Sequence, residues 1–429
     1  MDKYRLYQQP KGWEFQPLSA CCDAVSATCD PSSADGQPYL GLEHLASGAP
    51  AIVGVGDPHT VRSAKTVFQE RDVLYGKLRP YLRKAVLTPF DGICSTDIIV
   101  LRSKSLMLPE FLVYLLHSDH FVDRAKATTS GVNHPRTSWS KLKPFVVPVP
   151  PLSEQKKIAA LLAAVQRAVE QQERLIALTT ELKKALMHKL FTEGTRGEKR
   201  KDTEIGPVPE SWSVVPLHST GEVIYGIQAA VANNTMPIGT KIITNKNITL
   251  DGDFDFEKQS YFQIKTARHR ATILKKGDIL FNWRSGSKEH LGKTAFFDLD
   301  GEWTHSSFIL RIRPSGNVSN RFLFYYLLWL RESHYFVKLH TYMVNAKFNK
   351  SAVNALPTAL PERSEQDEIA YSLDAAVQQV SHHRATHAAL TSLFHTLLHQ
   401  LMTAQMRVDR LDLSDLGHGP AEAESEEAI

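Results

Sequence analysis

From Ile158 onward, apolar residues recur at alternating spacings of four and three. The ten positions are Ile158, Leu162, Val165, Val169, Gln172, Ile176, Thr179, Lys183, Leu186 and Leu190. This stripe predicts a long helix with a heptad seam. Shifted by a constant 211 residues, the same positions are Ile369, Leu373, Ala376, Val380, His383, His387, Leu390, Phe394, Leu397 and Leu401. Flanking residues repeat at the same offset. Ser153-Glu154-Gln155 returns as Ser364-Glu365-Gln366, and His188-Lys189-Leu190-Phe191-Thr192 as His399-Gln400-Leu401-Met402-Thr403. An internal repeat sets the architecture before any local reading does. Both seams are apolar at their ends and polar in the middle. Antiparallel pairing would set Gln172 opposite His383, Ile158 opposite Leu397 and Leu186 opposite Ile369. A central polar pair of this kind fixes register. In the alternative arrangement each helix packs only on its own domain.

The repeat extends beyond the helices. Pro10-Lys11-Gly12-Trp13 through Pro17-Leu18 resembles Pro209-Glu210-Ser211-Trp212 through Pro216-Leu217. Asp72-Val73-Leu74-Tyr75 matches Asp278-Ile279-Leu280-Phe281, and Phe111-Leu112-Val113-Tyr114 matches Phe322-Leu323-Phe324-Tyr325. The offset grows from 199 through 206 to 211, so insertions fall in the variable part of each half. Ile98-Ile99-Val100-Leu101 and Phe308-Ile309-Leu310-Arg311-Ile312 predict strands; residues 109–117 and 321–330 predict helices. Pro148-Val149-Pro150-Pro151 and the prolines at 357 and 361 stop each domain ahead of its long helix. Ser153 and Ser364 occupy the expected N-cap positions, with Glu154 and Glu365 in the first turn. The expected fold is α+β: two tandem α/β domains, each followed by a long helix, the helices pairing as an antiparallel coiled coil with pseudo-two-fold symmetry. The boundaries are 1–152 for the first domain, 153–194 for the central helix, 195–207 for a charged linker, 208–363 for the second domain, 364–408 for the C-terminal helix and 409–429 for a tail expected to be disordered.

Charge sharpens this picture. The net charge of +4 conceals a tail, 409–429, with seven acids against Arg410, so the remaining 408 residues carry +10. A body of that sign favours a polyanionic partner. No run of 18 apolar residues suggests a membrane span, and the residues after Met1 do not resemble a signal peptide. Cys21, Cys22, Cys29 and Cys94 lack CxxC spacing and suggest reduced thiols in a cytoplasmic protein.

Catalytic signatures are missing. The stretch from Gly286 to Gly292-Lys293-Thr294 resembles a phosphate-binding loop but has five residues between its glycines where the motif has four, and Ala295-Phe296-Phe297 beyond it predicts a strand. His383/His387 and His395/His399 have i, i+4 spacing, but no carboxylate completes a metalloenzyme motif. No metal or cofactor is expected on this chain, and the reading is of a binding protein.

Basic residues collect instead in expected loops. Tyr75-Gly76-Lys77-Leu78-Arg79-Pro80-Tyr81-Leu82-Arg83-Lys84 interleaves cations with aromatics. Residues 261–295 hold eight Lys or Arg against Asp278 and Glu289, and include Trp283, Arg284, Ser285, Lys288 and Lys293. A third set precedes each long helix: Asn133-His134-Pro135-Arg136, and Asn345, Lys347, Asn349 and Lys350. Asn245-Lys246-Asn247 joins the second domain's candidates. Lys, Ser and backbone groups supply phosphate contacts, while Arg and Asn read base edges. One such cluster could be a solvated face; matching clusters in both halves of a duplicated chain favour nucleic acid.

The order of domain, Pro-rich stop, Ser-Glu-Gln helix, repeated once, resembles the specificity (S) subunit of type I restriction–modification enzymes over about residues 10–405. The motifs most specific to it are Pro148-Val149-Pro150-Pro151-Leu152-Ser153-Glu154-Gln155 with Ile158, and Tyr75-Gly76-Lys77-Leu78-Arg79-Pro80-Tyr81. The second copy departs at Pro361-Glu362-Arg363 and at Phe281-Asn282-Trp283-Arg284. The resemblance implies two target recognition domains on double-stranded DNA, each binding half of a bipartite asymmetric site. It implies helices that set the gap and dock two methyltransferase (M) subunits carrying S-adenosylmethionine, which methylate adenine. It also implies two restriction (R) subunits that use ATP and Mg²⁺. The alternatives are the specificity subunit of a phage-defence system that methylates without restricting, a coiled-coil scaffold with no DNA role, and an enzyme with an unrecognised site.

Overall fold

The computed structural model describes residues 10–34, 36–131, 133–228, 238–284, 290–342 and 349–408. The chain divides into two compact units, Met1–Arg174 with Arg384–Ile429, and Leu175–His383. The long helices are Leu152–Glu193 and Arg363–Met402. Each contributes residues to both units.

The first unit is built on an antiparallel four-stranded sheet, ordered Cys22–Val25, Ile98–Ser103, Val73–Gly76, Ala85–Leu87. A second sheet adds Tyr39–Leu40, which runs parallel to Gly92–Cys94. Glu14–Pro17 pairs with Val146–Val149, the strand just ahead of the central helix. The helices Pro109–His117 and Asp119–Ala127 follow. The second unit repeats this order. Its four-stranded sheet is Gly221–Tyr225, Ile309–Pro314, Ile279–Asn282, Thr294–Phe296. Thr240–Ile243 runs parallel to Trp303–His305, and Ser213–Pro216 pairs with Pro357–Leu360. Residues 195–207, expected as a linker, contain Arg200–Thr203, which pairs with Gly206–Pro209.

Duplicated residues hold duplicated jobs. Asp72 accepts a bidentate pair from Arg102 at 2.8 and 2.7 Å, and Asp278 accepts one from Arg313 at 2.6 and 2.7 Å. Both carboxylates are buried. Gln155 accepts from the Leu108 amide and donates to the Leu106 and Pro150 carbonyls. Gln366 makes the same three bonds with Ser319, Asn317 and Pro361. One carboxamide can donate and accept at once, which explains why glutamine recurs at this position. Ser153 and Ser364 do not cap. The carbonyls of Pro151 and Glu362 take the first helical hydrogen bonds, so each helix begins before its serine.

The seam is buried at its ends. In the first unit Ile158 and Leu162 share one core with Phe394, Leu397 and Leu401. In the second, Leu190 shares one with Ile369 and Leu373, and Leu186 packs against it. Val169 and Val380 are buried, while Val165, Ile176 and Leu390 are partly exposed. Gln172 belongs to the first unit and His383 to the second.

In each unit, the acid of one Ser-Glu-Gln motif meets the chain leaving the other long helix. Glu154 accepts from Arg407 at 2.7 and 2.9 Å and from the Trp13 indole at 2.9 Å. Glu365 accepts from the Thr195 amide at 2.7 Å. The exit at 403–406 is strained: Ala404 has φ +54, a left-handed conformation that suits glycine. Ala404→Gly is therefore expected to stabilise the protein by about 1 kcal/mol, read as a higher urea midpoint. An unchanged or lower midpoint would show that the turn carries no strain.

Candidate nucleic-acid interface

In the first unit, both sequence clusters converge. The strand Val73–Gly76 runs into Lys77, and the Arg79 amide bonds to the Pro135 carbonyl at 2.8 Å. The Thr137 amide bonds to the Lys77 carbonyl at 3.0 Å, and Leu78 forms a β-bridge with Arg136. This brings Arg79 and Tyr81 beside Asn133 and Arg136, all four exposed. The loop is rigid. Arg79 and Arg83, at φ +51 and +50, flank the short 3-10 turn Pro80–Leu82 in left-handed conformations. Bulky residues there mark a constrained site.

Other candidates prove structural. Tyr75 is buried, with its ring edge-on to Phe121 at 5.7 Å. Burial raises its pKa. Arg83 is tied to Asp119 and the His117 carbonyl. Lys84 donates to the Leu42 and Leu45 carbonyls at 2.6 and 2.7 Å, and burial lowers its pKa. These three side chains brace the loop from within: Tyr75 is enclosed, and Arg83 and Lys84 bond to neighbouring segments. Lys77 is partly exposed.

In the second unit, Ile279–Asn282 leads into Trp283 and Arg284. The Trp283 indole donates to the Ser307 carbonyl at 2.8 Å, and its ring meets Tyr225 at 5.4 Å. The Tyr225 hydroxyl accepts from the Lys350 amide at 3.0 Å, so the segment before the C-terminal helix joins the same surface. Arg284 is exposed, its guanidinium 5.6 Å from the ring of Phe308, itself 41% exposed. Asn349 caps Lys350–Asn354 by accepting from Ala352.

Two candidates here are corrected as well. Asn247 is buried and closes a turn through Thr244, Asp255 and Lys258. Lys293 is buried and donates to the Asn245 and Ile248 carbonyls at 2.8 and 2.5 Å. Burial lowers its pKa. Asn245 and Lys246 ride on that turn, with Lys246 exposed. Ser285, Lys288, Asn345 and Lys347 lie outside the described residues, as does the acidic tail 409–429.

The structure also adds residues. Arg268 and Arg270 are exposed on the short helix Ala267–Arg270, beside a cleft formed with Tyr225, Gly226 and Gln228. Their signal was the positive excess of 261–295. Asp97 accepts from Arg136 at 3.1 and 3.2 Å and, as an acid, does not stand out among clusters of cations. Among the described residues, no group of three or more His, Cys, Asp or Glu side chains is placed to hold a metal ion. Nor is any described helix long and apolar enough to cross a membrane.

Two repeated α/β units with a long helix after each make this a tandem two-domain protein. The chain belongs to the family of the type I restriction modification DNA specificity domain, whose model matches residues 58–180 and 209–392. It is 29% identical over 199 residues to the type I restriction enzyme EcoDI specificity subunit of Escherichia coli, a match covering 44% of this chain and 43% of that protein. It is 25% identical over 394 residues to the MjaVIII specificity subunit of Methanocaldococcus jannaschii, covering 87% of each. The solved S subunit of a type I restriction–modification system from M. genitalium shares the fold. Its TM-score is 0.60 at 13% identity, over 92% of this chain and 97% of that one.

Proposed function

We propose that this chain selects the DNA site for a type I restriction–modification complex, each unit binding one half of a bipartite, asymmetric sequence. The observation that carries this reading is the convergence of Arg79, Tyr81, Asn133 and Arg136 on one exposed face of the first unit, in a chain of this family. Such a face offers fixed cations for phosphates and planar donors for base edges. In the second unit Arg284, Lys350, Arg268 and Arg270 fill the corresponding role with different side chains, as two different half-sites require. The two long helices pair as an antiparallel coiled coil, with Gln172 and His383 fixing its register. They set the gap between half-sites and dock two methyltransferase subunits. Those subunits supply S-adenosylmethionine chemistry at adenine; restriction subunits using ATP and Mg²⁺ add cleavage. This chain contributes recognition and no catalytic group, and acts in the cytoplasm.

Arg79→Ala or Arg284→Ala is expected to weaken binding of the cognate site by about 1–3 kcal/mol if the side chain reads a guanine edge. Titrations of cognate and scrambled duplexes at one salt concentration check this. Equal losses on both duplexes would make the residue a phosphate contact. No loss on either would remove it from the interface.

A further inference from the structure

We propose that Arg136 is a base-reading residue of the first unit, with specificity for guanine, and that Asp97 is the positioning residue that aims it. This rests on the DNA-site reading above and goes further, to one side chain and one base.

Arg136 donates from Nε to Asp97 Oδ1 at 3.1 Å and from its Nη2 to Oδ2 at 3.2 Å. This side-on grip uses two of the five guanidinium N–H groups. The end-on pair, one N–H from each terminal nitrogen, remains unengaged by Asp97. That outward fork has the geometry that meets O6 and N7 of guanine in the major groove. Both backbones are fixed by a common neighbour. The Arg136 amide and carbonyl pair with Ser130 at 3.0 Å each. The next residue, Thr137, bonds to the Lys77 carbonyl, while the Lys77 amide bonds to the Asp97 carbonyl at 2.9 Å. Fork and buttress are thus held to one strand end.

The twin ion pairs inside the two units show what a structural version looks like. Arg102 and Arg313 grip Asp72 and Asp278 in the same side-on way, but those carboxylates are only 2% and 1% exposed. Arg136 is 47% exposed, much like Arg102 at 46%, but its carboxylate partner Asp97 is 28% exposed. An ion pair with an open carboxylate adds little to stability, which leaves its geometry free to serve another role. Asp97 also argues against a plain phosphate clamp. A carboxylate beside the backbone repels phosphates and cancels the cation's long-range pull. The combination suits an arginine whose direction matters more than its charge.

The test is adenine-methylation mapping across the host genome, with the native gene replaced by Arg136→Ala, Arg136→Lys and Asp97→Asn. Each variant should melt like the parent. In the methylated motif, one position of one half-site should lose its guanine preference by roughly tenfold or more with Arg136→Ala and Arg136→Lys. Asp97→Asn should relax the same position and no other, and the second half-site should stay intact. An unchanged motif in all three variants overturns the proposal. So does a uniform drop in methylation with the motif preserved, which makes Arg136 a phosphate contact. A motif that persists when the whole gene is deleted sinks the broader DNA-site reading instead.

Discussion

Arg407→Ala is expected to cost about 3 kcal/mol of stability. The Glu154 carboxylate is 4% exposed, and the two bonds from Arg407 bring it a compensating positive charge. The Trp13 indole would remain as its partner, a neutral donor facing a full negative charge. Removing one member of a buried pair leaves the other charge desolvated, which is why the loss exceeds the usual value of an ion pair. Arg196→Ala is the control. Arg196 meets Glu368 at 2.9 Å, but both side chains are about half exposed, so its removal should cost well under 1 kcal/mol. Urea denaturation of the two variants measures the difference. Equal, small effects would mean that the segment after the C-terminal helix does not lock the first unit.

If the two long helices act as the proposed ruler, lengthening both should lengthen the gap between methylated half-sites. One added heptad in the middle of each long helix keeps the seam in phase and adds ~10.5 Å of rise. At ~3.4 Å per base pair, that corresponds to about three extra base pairs. The half-site sequences themselves should not change, because no residue of either recognition surface is altered. Methylation at the original spacing by a stably folded variant would reject the helices as the ruler.

Much of the fold was legible in the sequence because the repeat exposed it. A seam of ten positions recurring at one offset fixed the long helices, and paired motifs such as Asp72 and Asp278 marked equivalent strands. The roles of individual residues were less legible. Ser153 resembled an N-cap, yet Pro151 already supplies the first acceptor, a matter of one residue's backbone geometry. Tyr75, Lys84, Asn247 and Lys293 belonged to promising clusters by type. Their enclosure or engagement depends on contacts such as those of the half-buried Lys84 with the Leu42 and Leu45 carbonyls, some forty residues away in the chain. The adjacency of Arg79 and Pro135 is equally non-local. Composition shows how many cations a loop holds. It does not show which of them the fold has already consumed.

The most direct measurement is a genome-wide map of methylated adenines in the host, with the gene intact, deleted and restored. One bipartite motif, two short defined halves around a fixed unspecified gap, is expected to vanish on deletion and return on restoration. A set of methylated motifs that is identical in all three strains would contradict it.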